Sequence, residues 1–240
     1  MSDADTLRVE DIHTYYGDSY VLQGVSLGVA PGAVAAVLGR NGVGKTTLIR
    51  SIIAFTPPRR GRVMFEGVDL TRLPSYKIAQ LGIGLVPQGR RIFPSLSVQE
   101  NLAIAWKAAR GATNLPEWSI ERVLALFPPL RERFKNGAGT LSGGEQQMLA
   151  LARALVGNAK LMLMDEPTEG LSPQIVTEIR ALIARLREAG LAILLVEQNL
   201  AFALEVADRV YIMDKGCIVF DGAPQELAAN TQVQETYLGV

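Results

Sequence analysis

Residues 39 to 46 read Gly-Arg-Asn-Gly-Val-Gly-Lys-Thr, and this octapeptide fills every fixed place of the phosphate-loop pattern G-x-x-x-x-G-K-[ST]. Residues 33–38, just before it, form the continuous apolar run that a parallel strand covered on both faces needs. Residues 47–53, just after it, continue with helical character. A strand, a glycine loop and a helix in this order direct several backbone N–H groups and a helix N-terminus toward one point, which attracts anions.

The residue types within the loop predict a site for a nucleoside triphosphate. Gly39, Gly42 and Gly44 allow the backbone to fold closely around a phosphate, and Lys45 would reach the β- and γ-phosphates. The hydroxyl of Thr46 would coordinate Mg²⁺. The other residues that we assign to nucleotide binding in and beside the loop are Arg40, Asn41, Val43 and Thr47. The alternative, a glycine-rich surface turn, leaves the flanking strand and helix without a reason.

Composition limits the class of protein. The 240 residues are enough for one sizeable core with an inserted subdomain. Lysine plus arginine and aspartate plus glutamate both number 24, so the formal charge is zero, which disfavours nucleic acid as the main partner. The single cysteine, Cys217, has no partner for an internal disulfide, and the acidic start Met1-Ser2-Asp3-Ala4-Asp5 predicts no secretory signal. With no apolar stretch near the ~20 residues of a membrane helix, we expect a cytosolic chain.

Short alternating segments near the N-terminus predict an antiparallel β subdomain on one side of the phosphate loop. They lie within residues 6–30, and Val63-Met64-Phe65 is expected to join them after a turn at Arg60-Gly61. The predicted subdomain therefore comprises about residues 6–30 and 60–70.

The next part of the chain, from about residue 94 to 155, is rich in alanine and leucine and has several helical periods. It predicts an inserted helical subdomain, interrupted at Gly111, Pro116 and Pro128-Pro129. Parallel-strand runs return at residues 161–164 and 192–196, and a hairpin follows at residues 210–220. The pattern is that of an α/β protein with a parallel-sheet core, which takes up the rest of residues 1–240 as a single domain.

Two acidic residues follow a buried strand and are candidates for catalysis. Residues 161–164 lead into Asp165-Glu166, and the carboxyl end of a parallel strand faces the crevice in which α/β sheets bind ligands. Asp165 would hold Mg²⁺, directly or through water. Glu166 could polarise an attacking water. The alternative reading is a solvated helix N-terminus, where carboxylates are also favourable, but a complete phosphate loop upstream favours catalysis.

A third motif, Leu141-Ser142-Gly143-Gly144-Glu145, opens another helix. Ser142 is well placed as its N-cap, and the helix N-terminus is a second anion-attracting point. We do not expect both helix starts to serve one triphosphate from the same side. Taken alone, the motif is a capped helix.

The three motifs, in this order and at these separations, resemble the ATP-binding cassette (ABC) ATPases over nearly the whole chain. In that family two cassettes pack head to tail, which implies that Ser142, Gly143 and Gly144 contact the γ-phosphate of the other subunit's ATP. The resemblance also implies that Tyr16 stacks on adenine, with Tyr15 as the neighbouring alternative. Gln88 matches the glutamine that senses Mg²⁺ and links the site to the membrane partner.

The chain departs from the family pattern at two places. Gln198 stands where the family usually has a histidine; its amide can donate a hydrogen bond to a γ-phosphate but cannot take up a proton charge. After Glu166, residues 169–173 read Glu-Gly-Leu-Ser-Pro instead of a segment with a communicating aspartate. The only histidine, His13, is expected to be a surface strand residue.

Residues 195–199 and 166–173, which contain these departures, together with residues 86–94 and the terminal Tyr237-Leu238-Gly239, resemble the LivF-type cassette. That subfamily energises uptake of branched-chain amino acids, usually beside a second, LivG-type cassette. The resemblance implies ATP and Mg²⁺ as cofactors, and a homodimer or a LivG-type heterodimer. It also implies permease subunits contacted by residues 90–94 at the inner face of the membrane, and an indirect link to a solute-binding protein. Three alternatives stay open: a urea or short-amide importer cassette, a non-transport ABC protein acting as a binding module, and an unrelated nucleotide kinase, which leaves the Ser-Gly-Gly motif unexplained.

Overall fold

A computed structural model describes residues 5–108 and 118–239 of the chain. Gly111 and Pro116, two of the predicted helix breaks, and residues 1–4 of the acidic start lie outside the described residues. The strands of the described part are β1 (Leu7–Tyr16), β2 (Ser19–Val29), β3 (Val34–Leu38), β4 (Arg60–Phe65), β5 (Val68–Asp69), β6 (Ile83–Val86), β7 (Leu161–Asp165), β8 (Ala192–Glu197), β9 (Arg209–Asp214) and β10 (Cys217–Gly222).

The helices of the described residues lie between and after these strands. They are α1 (Lys45–Ile52), α2 (Ser75–Gln80), α3 (Val98–Ala108), α4 (Ile120–Leu126), α5 (Pro128–Glu132), α6 (Gly143–Val156), α7 (Pro173–Glu188), α8 (Leu200–Val206), α9 (Pro224–Ala228) and α10 (Thr231–Val233). Short turns at Ala138–Thr140 and Gln234–Leu238 complete the set. Among the described helices, none is both long enough and apolar enough to cross a lipid bilayer.

The core is a six-stranded sheet in the order β10-β9-β3-β8-β7-β6, parallel except for the edge strand β10. Strands β3, β7 and β8 are buried along their whole length. Alternate side chains enter two different cores: in β3, for example, Val34 and Ala36 face the larger helical core, whereas Ala35 and Val37 face the core under the antiparallel sheet. Burial on both faces explains why these strands are continuously apolar in sequence.

The second sheet is antiparallel, in the order β2-β1-β4-β5, and packs over α1. The predicted turn at Arg60-Gly61 is wrong, because both residues belong to β4. Gly61 has φ +86°, and a Cβ there would lie 2.2 Å from the carbonyl oxygen of Asp11. Asp11 sits in an irregularity of β1, between the paired residues Glu10 and His13. The glycine therefore marks a close approach of two strands rather than a turn.

Helices α3 to α6 make up the predicted helical region, which lies between β6 and β7 in the chain. α4 ends at Leu126 and α5 starts at Pro128, so the break expected at the two prolines is present. α6 is the main contact of this region with the core, because its buried residues include Leu149, Leu151 and Leu155. The carboxyl ends of β3, β7 and β8 meet at one edge of the sheet, and the candidate site lies there.

Candidate nucleotide-binding and hydrolysis site

The loop between β3 and α1 has the geometry of a phosphate cradle. Gly44, the residue before α1, has φ +115°, and Gly42 has φ +82°, conformations that side-chain-bearing residues rarely adopt. A Cβ on Gly39 would lie 2.5 Å from the carbonyl oxygen of Met213. The loop borders a cavity of about 310 Å³ whose lining includes Asn41, Thr47 and the neighbouring loop residues. Its backbone N–H groups and the start of α1 suit a phosphate chain.

Lys45 is held by the loop itself. Its ammonium group donates to the carbonyl oxygens of Gly39 at 2.7 Å and Arg40 at 3.1 Å, and it pairs with the Oε1 atom of Glu166 at 3.1 Å. Only 4% of the lysine is exposed. The charge is therefore presented at the cavity by partners on both sides, and an entering phosphate would compete with Glu166 for it.

Asp165 and Thr46 place two oxygen atoms side by side. The Thr46 hydroxyl donates to Oδ1 of Asp165 at 3.2 Å, and Asp165 is only 3% exposed. Burial raises the pKa of Asp165 to about 6; the Thr46 hydrogen bond opposes that rise, and the charge of Glu166 adds to it. A carboxylate and a hydroxyl beside a phosphate cradle fit Mg²⁺, which takes hard oxygen ligands and often completes its shell with phosphates. The end of the phosphate loop, residues 45 and 46, and Asp165 at the end of β7 thus form one continuous site.

Glu166 connects the phosphate loop with the loop after β6. It adopts φ +49°, an unfavourable backbone conformation for a residue other than glycine, and its N–H group donates to the Val196 carbonyl at 2.9 Å. The side-chain amide of Gln88 donates to Glu166 at 3.2 Å and to Glu169 at 2.9 Å. The structure therefore joins Gln88 to the predicted catalytic acid. Sequence reasoning did not assign Glu169 to the site, although its position three residues after Glu166 is a usable signal.

The Ser142 motif forms a separate surface. Ser142 caps α6 by accepting from the N–H of Glu145 at 3.3 Å, while the Glu145 carboxylate accepts from Ser142 N at 2.7 Å. Burial alone would raise the pKa of Glu145, but hydrogen bonds from Ser142 and the nearby Arg133 guanidinium lower it overall. Among described residues, the lining of the cavity at the phosphate loop does not include the Ser-Gly-Gly turn.

Gly143 lies beneath an arginine that sequence reasoning assigned elsewhere. A Cβ on Gly143 would lie 2.9 Å from both terminal nitrogens of Arg90, so the guanidinium covers this glycine within the same chain. Arg90 and Arg91 have φ +66° and +43°. The Arg91 carbonyl accepts from Arg153 of α6 at 3.0 Å. The loop after Gln88 is thus attached to α6 at two places.

Tyr16 and Gln198 are both exposed, and neither is part of the lining of the cavity at the phosphate loop. Tyr16 ends β1, is 41% exposed, and has the Arg50 guanidinium 5.8 Å from its ring centroid. Tyr15 is stacked on Tyr20 with ring centroids 4.5 Å apart, so of the two tyrosines Tyr16 has the more accessible ring. Gln198 follows β8 directly and its side chain is exposed.

The comparisons with known proteins agree with this geometry. The family described as "ABC transporter" matches residues 22–169, more than half of the chain, and the chain belongs to that family. It is an ATP-hydrolysing cassette with the P-loop ABC fold, as the resemblance of its motifs implies.

Several curated relatives match over nearly the full length of both chains. A high-affinity branched-chain amino acid transport ATP-binding protein, BraG, from Pseudomonas aeruginosa is 41% identical, with 97% of this chain and 99% of the relative covered. A probable branched-chain amino acid transport ATP-binding protein, LivF, from Archaeoglobus fulgidus is 38% identical over 98% and 99%. The lipopolysaccharide export ATP-binding protein LptB of Escherichia coli is 34% identical over 98% and 97%. The ADP-bound cassette of an ABC transporter has a TM-score of 0.85 at 30% identity, over 98% and 97%.

Proposed function

We propose that this chain is the ATPase subunit of an importer for branched-chain amino acids or a related small solute. The observation that carries the ATPase assignment is the continuous set of contacts around the loop cavity. Lys45 pairs with Glu166, Glu166 accepts from Gln88, and Thr46 donates to Asp165. The identities to BraG and LivF, higher than that to LptB, support the cargo.

In the proposed mechanism, the backbone N–H groups of residues 39–46 and the ammonium of Lys45 hold the β- and γ-phosphates, and Tyr16 stacks on adenine. Asp165, Thr46 and Gln88 would hold Mg²⁺, which when bound neutralises charge that develops on the phosphates. When a phosphate takes the place of Glu166 at Lys45, the carboxylate is free to orient and polarise a water aligned with the γ-phosphate. Gln198 donates its amide N–H to the γ-phosphate from the end of β8.

A second cassette completes each site in this proposal. The Ser142-Gly143-Gly144 turn lies outside the cavity at its own chain's phosphate loop, and its capped helix N-terminus is suited to a phosphate approaching from another subunit. The partner is a second copy or a LivG-type cassette. ATP closes the dimer and hydrolysis opens it.

Permease subunits would dock in a groove between the core and the helical region. This groove has a volume of about 530 Å³, and its lining includes Tyr76, Leu85, Arg91 and Arg153. Phe93 beside it is 41% exposed and lies under the Arg153 guanidinium, 4.4 Å from the ring centroid. A mixed aromatic and cationic groove suits a short amphipathic helix from a membrane protein. Docking there would hold the cassette at the inner face of the membrane.

The test is transport by the assembled complex. The chain, its partner cassette, the permease subunits and the solute-binding protein would be reconstituted together in liposomes. We expect ATP-dependent uptake of labelled leucine, and no uptake with Glu166→Gln in both cassettes. If the complex takes up urea but not leucine, the urea importer alternative is correct. ATP hydrolysis that no permease stimulates would favour a non-transport ABC protein.

A further inference from the structure

Glu197, the last residue of β8, is a buried carboxylate for which the mechanism above has no use. It is 2% exposed, at the carboxyl edge of the sheet and directly before Gln198. Burial raises its pKa, an effect opposed by the hydrogen bonds it accepts. A carboxylate in such a place is costly unless its oxygen atoms are fully paired, whereas an apolar side chain would carry no such cost.

The two oxygen atoms of Glu197 are divided between two different segments. Oε1 accepts from the N–H of Thr168 at 3.2 Å and from its hydroxyl at 2.7 Å. Oε2 accepts from the N–H groups of Gln198 at 3.0 Å and Asn199 at 3.3 Å. One side chain therefore fixes the segment after β7 to the turn after β8.

Those two segments carry the groups assigned to hydrolysis. Thr168 lies two residues after Glu166 and one before Glu169, which contacts Gln88. Gln198 holds the position of the γ-phosphate donor. A further hydrogen bond, from the N–H of Glu166 to the carbonyl oxygen of Val196 at 2.9 Å, joins the residue after β7 to β8 itself.

We propose that Glu197 is a positioning residue that sets the place of Gln198 relative to Glu166. This inference rests on the proposed ATPase mechanism and adds a residue to it. In this role Glu197 acts through its protein contacts, by holding the backbone of Gln198 and Asn199 against the Thr168 segment. Correct placement of Gln198 relative to Glu166 lowers the barrier to hydrolysis but does not change how the phosphate loop holds ATP. Loss of the Glu197 contacts should therefore affect kcat more than KM.

The first test is the near-isosteric variant Glu197→Gln in the full-length protein. Its amide keeps one oxygen, and its NH₂ group would face donors of one of the two segments, which breaks half of the bridge. We expect kcat for ATP to fall by about tenfold or more while KM changes less than about twofold. Thr168→Val, which removes only the hydroxyl contact, should give a smaller loss of the same kind, and it remains informative if Glu197→Gln fails to fold.

The second test is a double-mutant cycle with Gln198→Ala. If Glu197 acts through Gln198, Glu197→Gln should lower kcat little further in the Gln198→Ala background. Losses that simply multiply, or an increase in KM with unchanged kcat, would overturn the inference. Glu166→Gln, assayed in parallel, separates the two hypotheses: if it retains full turnover, the proposed mechanism is wrong, whereas additive losses with an inactive Glu166→Gln remove only the role of Glu197.

Discussion

The substitution Asp165→Asn should stabilise the nucleotide-free protein while it removes Mg²⁺-dependent hydrolysis. Burial raises the pKa of this carboxyl from 3.8 to about 6. Folding therefore disfavours the ionised form at neutral pH, and the difference of ~2.2 pH units corresponds to at most ~3 kcal/mol. Asparagine can still accept the Thr46 hydrogen bond. Burying its amide NH₂ group costs free energy, however, so only part of the ~3 kcal/mol is gained. We expect a gain of ~1–2 kcal/mol, or ~2–8 °C in thermal midpoint for a chain of this size.

The pH dependence of this gain has a definite sign. Because the pKa of the folded state is raised, the parent loses stability relative to Asp165→Asn as the pH rises from about 4 through about 6. The gap in thermal midpoint should be complete above pH 7 and close to zero at pH 5, where only about half of the ~3 kcal/mol is present. Near pH 4 the order should be reversed, because little more than the cost of the buried amide is left.

Calorimetric unfolding between pH 4 and 8, in EDTA and without nucleotide, measures the effect. The exposed Asp18→Asn variant is the matched control and should shift stability by less than about 0.5 kcal/mol. Added Mg²⁺ and ATP should reverse the order, since they stabilise the parent more than the variant. A variant less stable than the parent at pH 7.5, or a gap that does not change with pH, would show that Asp165 is not a buried carboxylate with a raised pKa.

The remaining predictions concern the other site residues. Glu166→Gln should keep ATP affinity, reduce hydrolysis by ~10² or more and let ATP trap a dimer; unchanged turnover in a phosphate-release assay removes Glu166 from its role. Ser142→Arg should spare nucleotide binding by the monomer but abolish ATP-driven dimerisation in gel filtration, with circular dichroism to check folding; equal loss of monomer binding means that the motif acts within its own chain. Gln198→Ala should lower turnover, and an Ala variant as fast as the parent would assign Gln198 no role. Gln198→His should introduce an inflection in the pH–rate profile that the parent lacks, near pH ~6.5, the unperturbed pKa of an imidazole. Gly143→Ala should displace the Arg90 guanidinium, so its effect on the unfolding free energy of the nucleotide-free chain should be largely shared with Arg90→Gly in a double-mutant cycle, and independent effects would contradict this contact.

Much of this fold could be predicted from local patterns. The phosphate loop lies between β3 and α1 as expected, because an apolar run, a glycine loop and a helical segment are adjacent in sequence and each restricts the backbone locally. The N-cap of α6 at Ser142 follows equally from a short motif. The turn expected at Arg60-Gly61 was wrong because glycine signals both a turn and a close approach between strands, and only the position of Asp11 in the folded protein distinguishes them.

The residue types of the site can be read from the chain alone: the loop lysine and threonine, the two acids after β7, and an amide where the family usually has a histidine. Which of these residues touch one another follows from the fold. Gln88 reaches Glu166 and Glu169 across about eighty residues of chain, Arg90 covers Gly143, and Glu197 bridges Thr168 and Gln198. The physical reason is that a motif specifies local backbone conformation, whereas a contact between two loops depends on strand order, and the order β3-β8-β7 brings these chain ends to one edge.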